Sequence, residues 1–259
     1  MLKPEKVNDA ESKARLSALA PDLLAVVAYG AILSPALLRV PTLGSINLHG
    51  GLLPDHRGAS PVQRALWEGR SATGVTTMWI DEGVDTGDLI LQEWIAIEAA
   101  DNAGTLAERL AVRGAPLLAE SLRLAHAGRA PRTPQDRAAG SYAPRMSKRD
   151  GAIDWALDAD TVWNHQRAVT PWPGAVTSLD GRRLIVTGAV PHHRLPSAHA
   201  PGTVLAIGAE GVEVACGNGA LRLLRVKPEG RAEMSAPDWA RGVRVAAGTV
   251  FEITQESPT

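Results

Sequence analysis

The chain has 259 residues, 45% of them hydrophobic and 21% charged, a composition that supports packed cores and excludes disordered and fibrous classes. With 27 basic and 28 acidic residues the formal charge is -1, so bulk electrostatics identifies no nucleic-acid or membrane-surface binder and partners must be argued from local motifs. No apolar run approaches the roughly 18 residues of a membrane span, and the charged stretch Met1 to Leu24 is unlike a signal peptide, so a cytoplasmic protein without membrane association is expected. The single cysteine, Cys216, excludes an internal disulfide and any Cys-rich zinc site, and its apolar setting predicts a buried, inert thiol.

In chain order, Asn8 to Leu19 reads as a helix, with Asn8 as its cap and Glu11 three residues on. Leu23-Leu24-Ala25-Val26-Val27-Ala28-Tyr29 is continuously apolar, the pattern of a strand buried on both faces, and ends at Gly30. Gly44 to Leu48 is a second strand. Ser60-Pro61-Val62-Gln63 combines an N-cap serine, a first-turn proline and a capping-box glutamine, opening a short helix stopped at Gly69. Val75 to Ile80 and Leu89 to Ile97, rich in β-branched and aromatic residues, flank a loop from Asp81 to Asp88. Thr105 and Glu108 form another capping box for a helix reaching Gly128. Strand, helix, strand order argues for an α/β layer with a mostly parallel sheet.

Residues 129–141 are rich in proline and charge without periodicity, which predicts a linker. After a helix over Ala159 to Val169, short strands are expected at Leu184 to Val190, Gly202 to Ile207, Gly211 to Ala215, Leu221 to Val226 and Thr249 to Ile253. Asp180-Gly181 and Gly217-Asn218-Gly219 supply tight turns, and the spacing suggests a small antiparallel barrel. The expected domains are residues 1–139 and 140–259. At the amino end a βαβ unit takes about thirty residues, whereas 22 precede Leu23. For a chain starting at Met1, the run Leu23 to Tyr29 is expected to lie at an apolar sheet edge open to pairing.

Chemistry concentrates in two places. Asn47 and His49, two apart at a strand's end, project from the same face, near the carboxyl edge where open sheets bind ligands. Asp85, in the loop between two strands, is placed to fold over the same cleft. An amide donor, an imidazole and a carboxylate suit acyl transfer, in which an oxygen gains negative charge and a proton must move. No serine or cysteine nucleophile is poised there, so the nucleophile would come from substrate, pointing to transfer onto an amine. Taken alone, a strand-end Asn and His or an Asp-Thr-Gly turn is ordinary structural usage. His192, His193 and His199 sit in a Pro-rich loop without metal spacing, no metal is expected, and His56 reads as solvated.

Ile46-Asn47-Leu48-His49-Gly50-Gly51-Leu52-Leu53-Pro54-Asp55-His56-Arg57-Gly58-Ala59-Ser60-Pro61 resembles the signature of folate-dependent formyltransferases, and Gly83-Val84-Asp85-Thr86-Gly87-Asp88 resembles that family's acidic motif. Tyr142 to Lys148, Ile153-Asp154-Trp155, Arg167 to Ala175, Gly202-Thr203-Val204 and Gly219 to Gly230 are similar to later segments of the branch that formylates methionyl-tRNA. The resemblance implies an α/β fold: a Rossmann-like formyltransferase domain, here without the family's N-terminal βαβ segment, followed by a small OB-like antiparallel β-barrel. It implies a catalytic trio of Asn47, His49 and Asp85, and a folate-facing loop of Gly51, Leu52, Leu53 and Pro54. It implies 10-formyltetrahydrofolate as formyl donor, initiator methionyl-tRNA as acceptor, and a monomer when complete. Gly51 departs from the family's usual serine. Two alternatives stay open at this point: a sugar-nucleotide N-formyltransferase, and a truncated, catalytically inactive module that binds RNA or protein.

Overall fold

The computed structural model describes residues 4–192 and 199–252. They fall into two compact units, one of residues 4–62, 71–97 and 106–145, the other of 63–70, 98–105, 146–192 and 199–252.

The first unit begins with α1 (Ala10–Ala18), β1 (Leu23–Val27), the short α2 (Pro35–Leu38) and β2 (Gly44–His49). Asp9 caps α1 by accepting from the Ser12 amide, and Asn8 does something else: its amide bridges Ile32 O and Ser34 N. Two cap-forming residues stand side by side, and the tie to residues 32–34 occupies the first of them. After β3 (Arg57–Gly58) and α3 (Pro61–Trp67), which counts with the second unit from residue 63 onward, come β4 (Ala72–Trp79) and β5 (Leu89–Ala96), then the long α4 (Ala103–His126) and β6 (Tyr142–Ala143), which pairs with β3. The cap of α4 is Asn102, whose side chain accepts from the Gly104 and Thr105 amides while Thr105 Oγ1 accepts from Asn102 N. Thr105 thus serves as the reciprocal partner instead of the cap itself.

Among the described residues the main sheet has the order β1-β2-β4-β5. Only β1–β2 is parallel; β2–β4 and β4–β5 are antiparallel, which corrects the mostly parallel expectation. The nine-residue loop between β4 and β5 makes them a hairpin, and a hairpin can only pair antiparallel strands. α4 covers the sheet: a Cβ on Gly114 would come within 2.8 Å of Leu48 Cδ2, and Thr77 Oγ1 meets Ser121 Oγ at 2.7 Å. Ile46, Trp79, Ile90 and Ala125 form the buried centre. β1 has no buried residue and Val27 is 52% exposed, because β1 lies at the sheet edge instead of being covered on both faces. A cavity of about 720 Å³ lies between α1 and β1, lined by Leu16, Leu24, Val26, Leu33 and Leu37 among others and by none of Asn47, His49 or Asp85.

Residues 129–145 belong to the first unit. Pro131 O accepts from Trp79 Nε1, Thr133 bridges Leu89, and Arg132 stacks over Trp79. Proline and charge masked this segment's anchoring, because its partners lie far away in sequence.

The second unit contains α5 (Ala159–Ala168), then β7 (Ala175–Leu179), β8 (Arg182–His192), β9 (Val204–Gly208), β10 (Gly211–Ala215), β11 (Ala220–Pro228), β12 (Met234–Ser235) and α6 (Ala236–Gly242). Its sheet has the order β7-β8-β11-β10-β9, with β12 on β11, and every pairing is antiparallel. Asp180 and Gly181 take the positive φ values that a tight β7–β8 hairpin demands. The stretch expected as a strand from Thr249 makes single bridges instead: Val250 to Thr203 and Glu252 to Ser178, so it spans from the chain just before β9 to β7, while Ile253 lies outside the described residues. Trp155, Phe251 and Trp239 stack in series within the core, and Trp155 Nε1 donates to Thr177 Oγ1. Cys216 is buried and its thiol is pushed up to about 12 by burial.

His165 of α5 is buried against Trp67 and donates from Nε2 to Asp150 O at 2.7 Å. Burial lowers its pKa, partly opposed by that hydrogen bond. A histidine lowered in the fold takes up its proton more readily when unfolded, so the stability it contributes above about pH 6.5 is lost as pH falls toward the folded value. Denaturant midpoints should therefore drop between about pH 7.5 and 5.5, and His165→Gln should flatten that drop. An equal slope in the variant would remove His165 as a cause.

Candidate active site

β2 presents Asn47 and His49 on one face, since alternate residues of a strand share a side. Asn47 pairs with Met78 and His49 with Thr76 across the antiparallel partner β4, which fixes their height on the sheet. Asp85 arrives from the loop joining β4 to β5. That loop is braced from within: Asp81 accepts from Gly83 N at 3.0 Å and from Thr86 Oγ1 at 2.7 Å. Gly87 packs so tightly that a Cβ there would stand 1.8 Å from Trp79 O. Asp85 itself has φ +53, a left-handed conformation that costs a non-glycine residue about 1–3 kcal/mol and persists where its surroundings hold it.

The three side chains meet. Asp85 Oδ1 lies 3.4 Å from Asn47 Nδ2, and Asp85 Oδ2 lies 3.4 Å from His49 Nδ1 and accepts from the Gly58 amide at 2.8 Å. His49 is buried and its Nε2 is 3.0 Å from His56 O. A carbonyl only accepts, so Nε2 carries a hydrogen and Nδ1 is the nitrogen that faces the carboxylate. Burial lowers the His49 pKa, opposed by the Asp85 charge and by the bond to His56 O. The imidazole is thereby favoured as neutral, with Asp85 across from the nitrogen that would take a proton.

The loop following β2 is held by two side chains of the neighbouring strands. Thr76 Oγ1 donates to Gly51 O at 2.7 Å and accepts from Leu53 N at 3.2 Å, while Gln92 Nε2 donates to Leu53 O at 2.8 Å and to Thr76 Oγ1. Leu53 is buried with both backbone groups engaged, so it anchors the loop, and Leu52 and Pro54 are half-buried. Gly51 is buried, and a Cβ there would lie 3.1 Å from His49 Nε2. Gly58 has φ +112, and a Cβ there would meet Ala143 O at 2.6 Å, so only glycine lets this backbone amide reach Asp85.

Asn47, His49 and Asp85 are thus brought together, and Gly51 lies beside them. His56 corrects its sequence reading: it is buried at φ +55, its amide donates to Ser141 Oγ, and its carbonyl holds His49. The sequence reads it as solvated, but the chain folds back under residues 139–143. Thr76, Gln92 and the Gly58 amide carried no sequence signal of these duties. Among the described residues no cluster of His, Cys, Asp and Glu suited to a metal is found; His193 lies outside them. No helix among them is long and apolar enough to cross a membrane.

Residues 1–122 match the formyl transferase family, and residues 145–244 match the formyl transferase C-terminal domain. A methionyl-tRNA formyltransferase from Methylacidiphilum infernorum is 43% identical over 256 residues, 97% of this chain and 79% of that protein. One from Anaeromyxobacter dehalogenans is 47% identical over 246 residues, 94% of this chain and 79% of that protein. Among solved structures, HypX from Aquifex aeolicus in complex with tetrahydrofolic acid has a TM-score of 0.67 at 19% identity, covering 97% of this chain and 44% of that one. An N-formyltransferase from Helicobacter canadensis, in complex with folinic acid and dTDP-3-aminofucose, has a TM-score of 0.56 at 19% identity, covering 68% of this chain and 65% of that one. At such identities these structural likenesses speak for the fold.

Proposed function

The chain belongs to the formyl transferase family, and from that premise we propose what its site does. It transfers the formyl group of 10-formyltetrahydrofolate to the amino group of methionine esterified to initiator tRNA, for translation initiation. The observation that carries this reading is the meeting of Asn47, His49 and Asp85 at the carboxyl end of β2.

In the proposed mechanism the neutral methionyl amine attacks the formyl carbon. A C–N bond forms and the carbonyl electron pair moves onto oxygen, where Asn47 Nδ2 is the candidate donor to the developing charge. His49 Nδ1 accepts the proton the amine releases, and Asp85 stabilises the imidazolium so formed. The C–N bond to the folate nitrogen then breaks, and that nitrogen takes the proton, leaving tetrahydrofolate and formylated methionyl-tRNA. The lowered pKa of His49 favours this order, with the imidazole neutral first and charged afterwards. Leu52 and Pro54 supply the accessible surface of the loop proposed to meet the folate, and Gly51 and Leu53 set its shape. No metal enters the scheme. Holding both substrates in near-attack geometry supplies up to about 7–11 kcal/mol.

The division of labour proposed is catalysis in residues 1–139 and tRNA contact from residues 140–259. The working protein is proposed to be a cytoplasmic monomer, free of membrane. The test is transfer of labelled formyl from 10-formyltetrahydrofolate, comparing initiator methionyl-tRNA with a dTDP-amino sugar as acceptor. Product on the tRNA alone is expected. Product on the sugar alone would move the chain to the sugar branch, and none on either would leave a binding module.

A further inference from the structure

We infer that Gln135 is a positioning residue for formyl transfer, its side-chain amide locking the Asp85 loop onto Arg57 so that the carboxylate stays opposite His49. The inference rests on the reaction proposed above and adds a residue that lies outside both sequence motifs.

Gln135 sits in the Pro-rich segment beyond α4 and uses both ends of its amide. Nε2 donates to Asp85 O at 3.0 Å and to Gly87 O at 2.7 Å. Oε1 accepts from Arg57 Nε at 3.1 Å and from Arg57 Nη2 at 2.9 Å. Arg57 in turn donates to Ala139 O and Asp136 O, which ties the guanidinium to the same segment. The next residue, Gly58, gives its amide to Asp85 Oδ2. Asp85 is therefore gripped at its carboxylate by Gly58 and at its carbonyl by Gln135, with Arg57 linking the two grips.

The backbone conformation gives this grip something to hold. Asp85 is in the left-handed region, which costs a non-glycine residue free energy even though aspartate tolerates it better than most, and the hydrogen bonds from Gln135 hold the carbonyl in that conformation. A neutral amide is the one side-chain type that donates to two carbonyls while accepting from a guanidinium. A glutamate at 135 would keep the Arg57 contact, lose both donors, and set its oxygens against two carbonyl oxygens.

The experiment compares the full chain with its Gln135→Glu and Gln135→Met variants. The readouts are melting temperature, steady-state formylation of methionyl-tRNA and the pH profile of kcat. The wild-type chain must first transfer formyl; if it does not, the reaction assignment fails and not the role of Gln135. With an active wild type, kcat should fall about 10- to 100-fold in both variants, the loss expected of a catalytic group misplaced by about an ångström. KM for the formyl donor should stay close to wild type, and the fall in kcat should exceed what any accompanying drop in melting temperature accounts for. His49 is acted on by Asp85 and His56. Withdrawal of Asp85 leaves burial less opposed, so the acid limb of the profile should move to lower pH in Gln135→Met. In an Asp85→Asn background, Gln135→Met should add little further loss. Wild-type kcat in the variants would overturn the inference. So would a loss that merely tracks melting temperature, or one that adds in full to that of Asp85→Asn. Should one variant not fold, the other decides.

Discussion

Replacing His49 with alanine should lower kcat for formyl transfer by about 10²- to 10⁴-fold, the range of a positioned proton-transfer group. KM for the formyl donor should change by less than about threefold, because the role proposed for the ring is proton transfer and not donor binding. The expectation comes from geometry: Nε2 is fixed on His56 O, so Nδ1 is the nitrogen available, 3.4 Å from the Asp85 carboxylate. His49→Asn, closer in volume, should show the same loss and separates chemistry from the cavity that alanine leaves. Near wild-type turnover in both would take the imidazole out of the mechanism.

Gly87→Ala should be nearly as damaging without touching any chemical group. The added Cβ would stand 1.8 Å from Trp79 O, a backbone atom of β4 that cannot swing aside. The Asp85 loop must move instead, and kcat should fall by about 100-fold. The overpacking itself should cost about 1–3 kcal/mol of stability. Single-turnover kinetics and thermal melting measured side by side check this. A wild-type rate would mean that the loop's close approach to β4 does not set the position of Asp85.

What could be read in advance depended on whether the deciding partners were near in sequence. Leu23 to Tyr29 announces a strand through its continuous apolar run, and Gly44 to Leu48 does so by following the turn-prone Val40-Pro41-Thr42. The direction of pairing is decided by connections, so the antiparallel β2–β4 pair stayed hidden behind a strand, helix, strand pattern. Ala175–Leu179, between a Pro-Trp-Pro-Gly segment and a turn, was missed as a strand, and the short α6 was missed after Ser235. Asn47, His49 and Asp85 were legible because their residue types cohere chemically and their motifs recur in a family. Gln135 and His56 were not. One sits in a stretch whose composition reads as linker, the other between charged neighbours, and both are placed by contacts tens of residues away, Gln135 on Asp85 O and His56 on Ser141 Oγ.

The tRNA side shows the same limit. Basic and acidic residues nearly balance from Gly140 onward, and Arg145, Lys148 and Arg149 are the densest basic group there.

The most direct test of the trio is a double-mutant cycle on kcat with His49→Ala, Asp85→Asn and the pair. If a single proton is taken by the imidazole and held by the carboxylate, the double variant should be about as slow as the worse single one. Losses that multiply in full would mean that the two side chains act independently, contradicting the account.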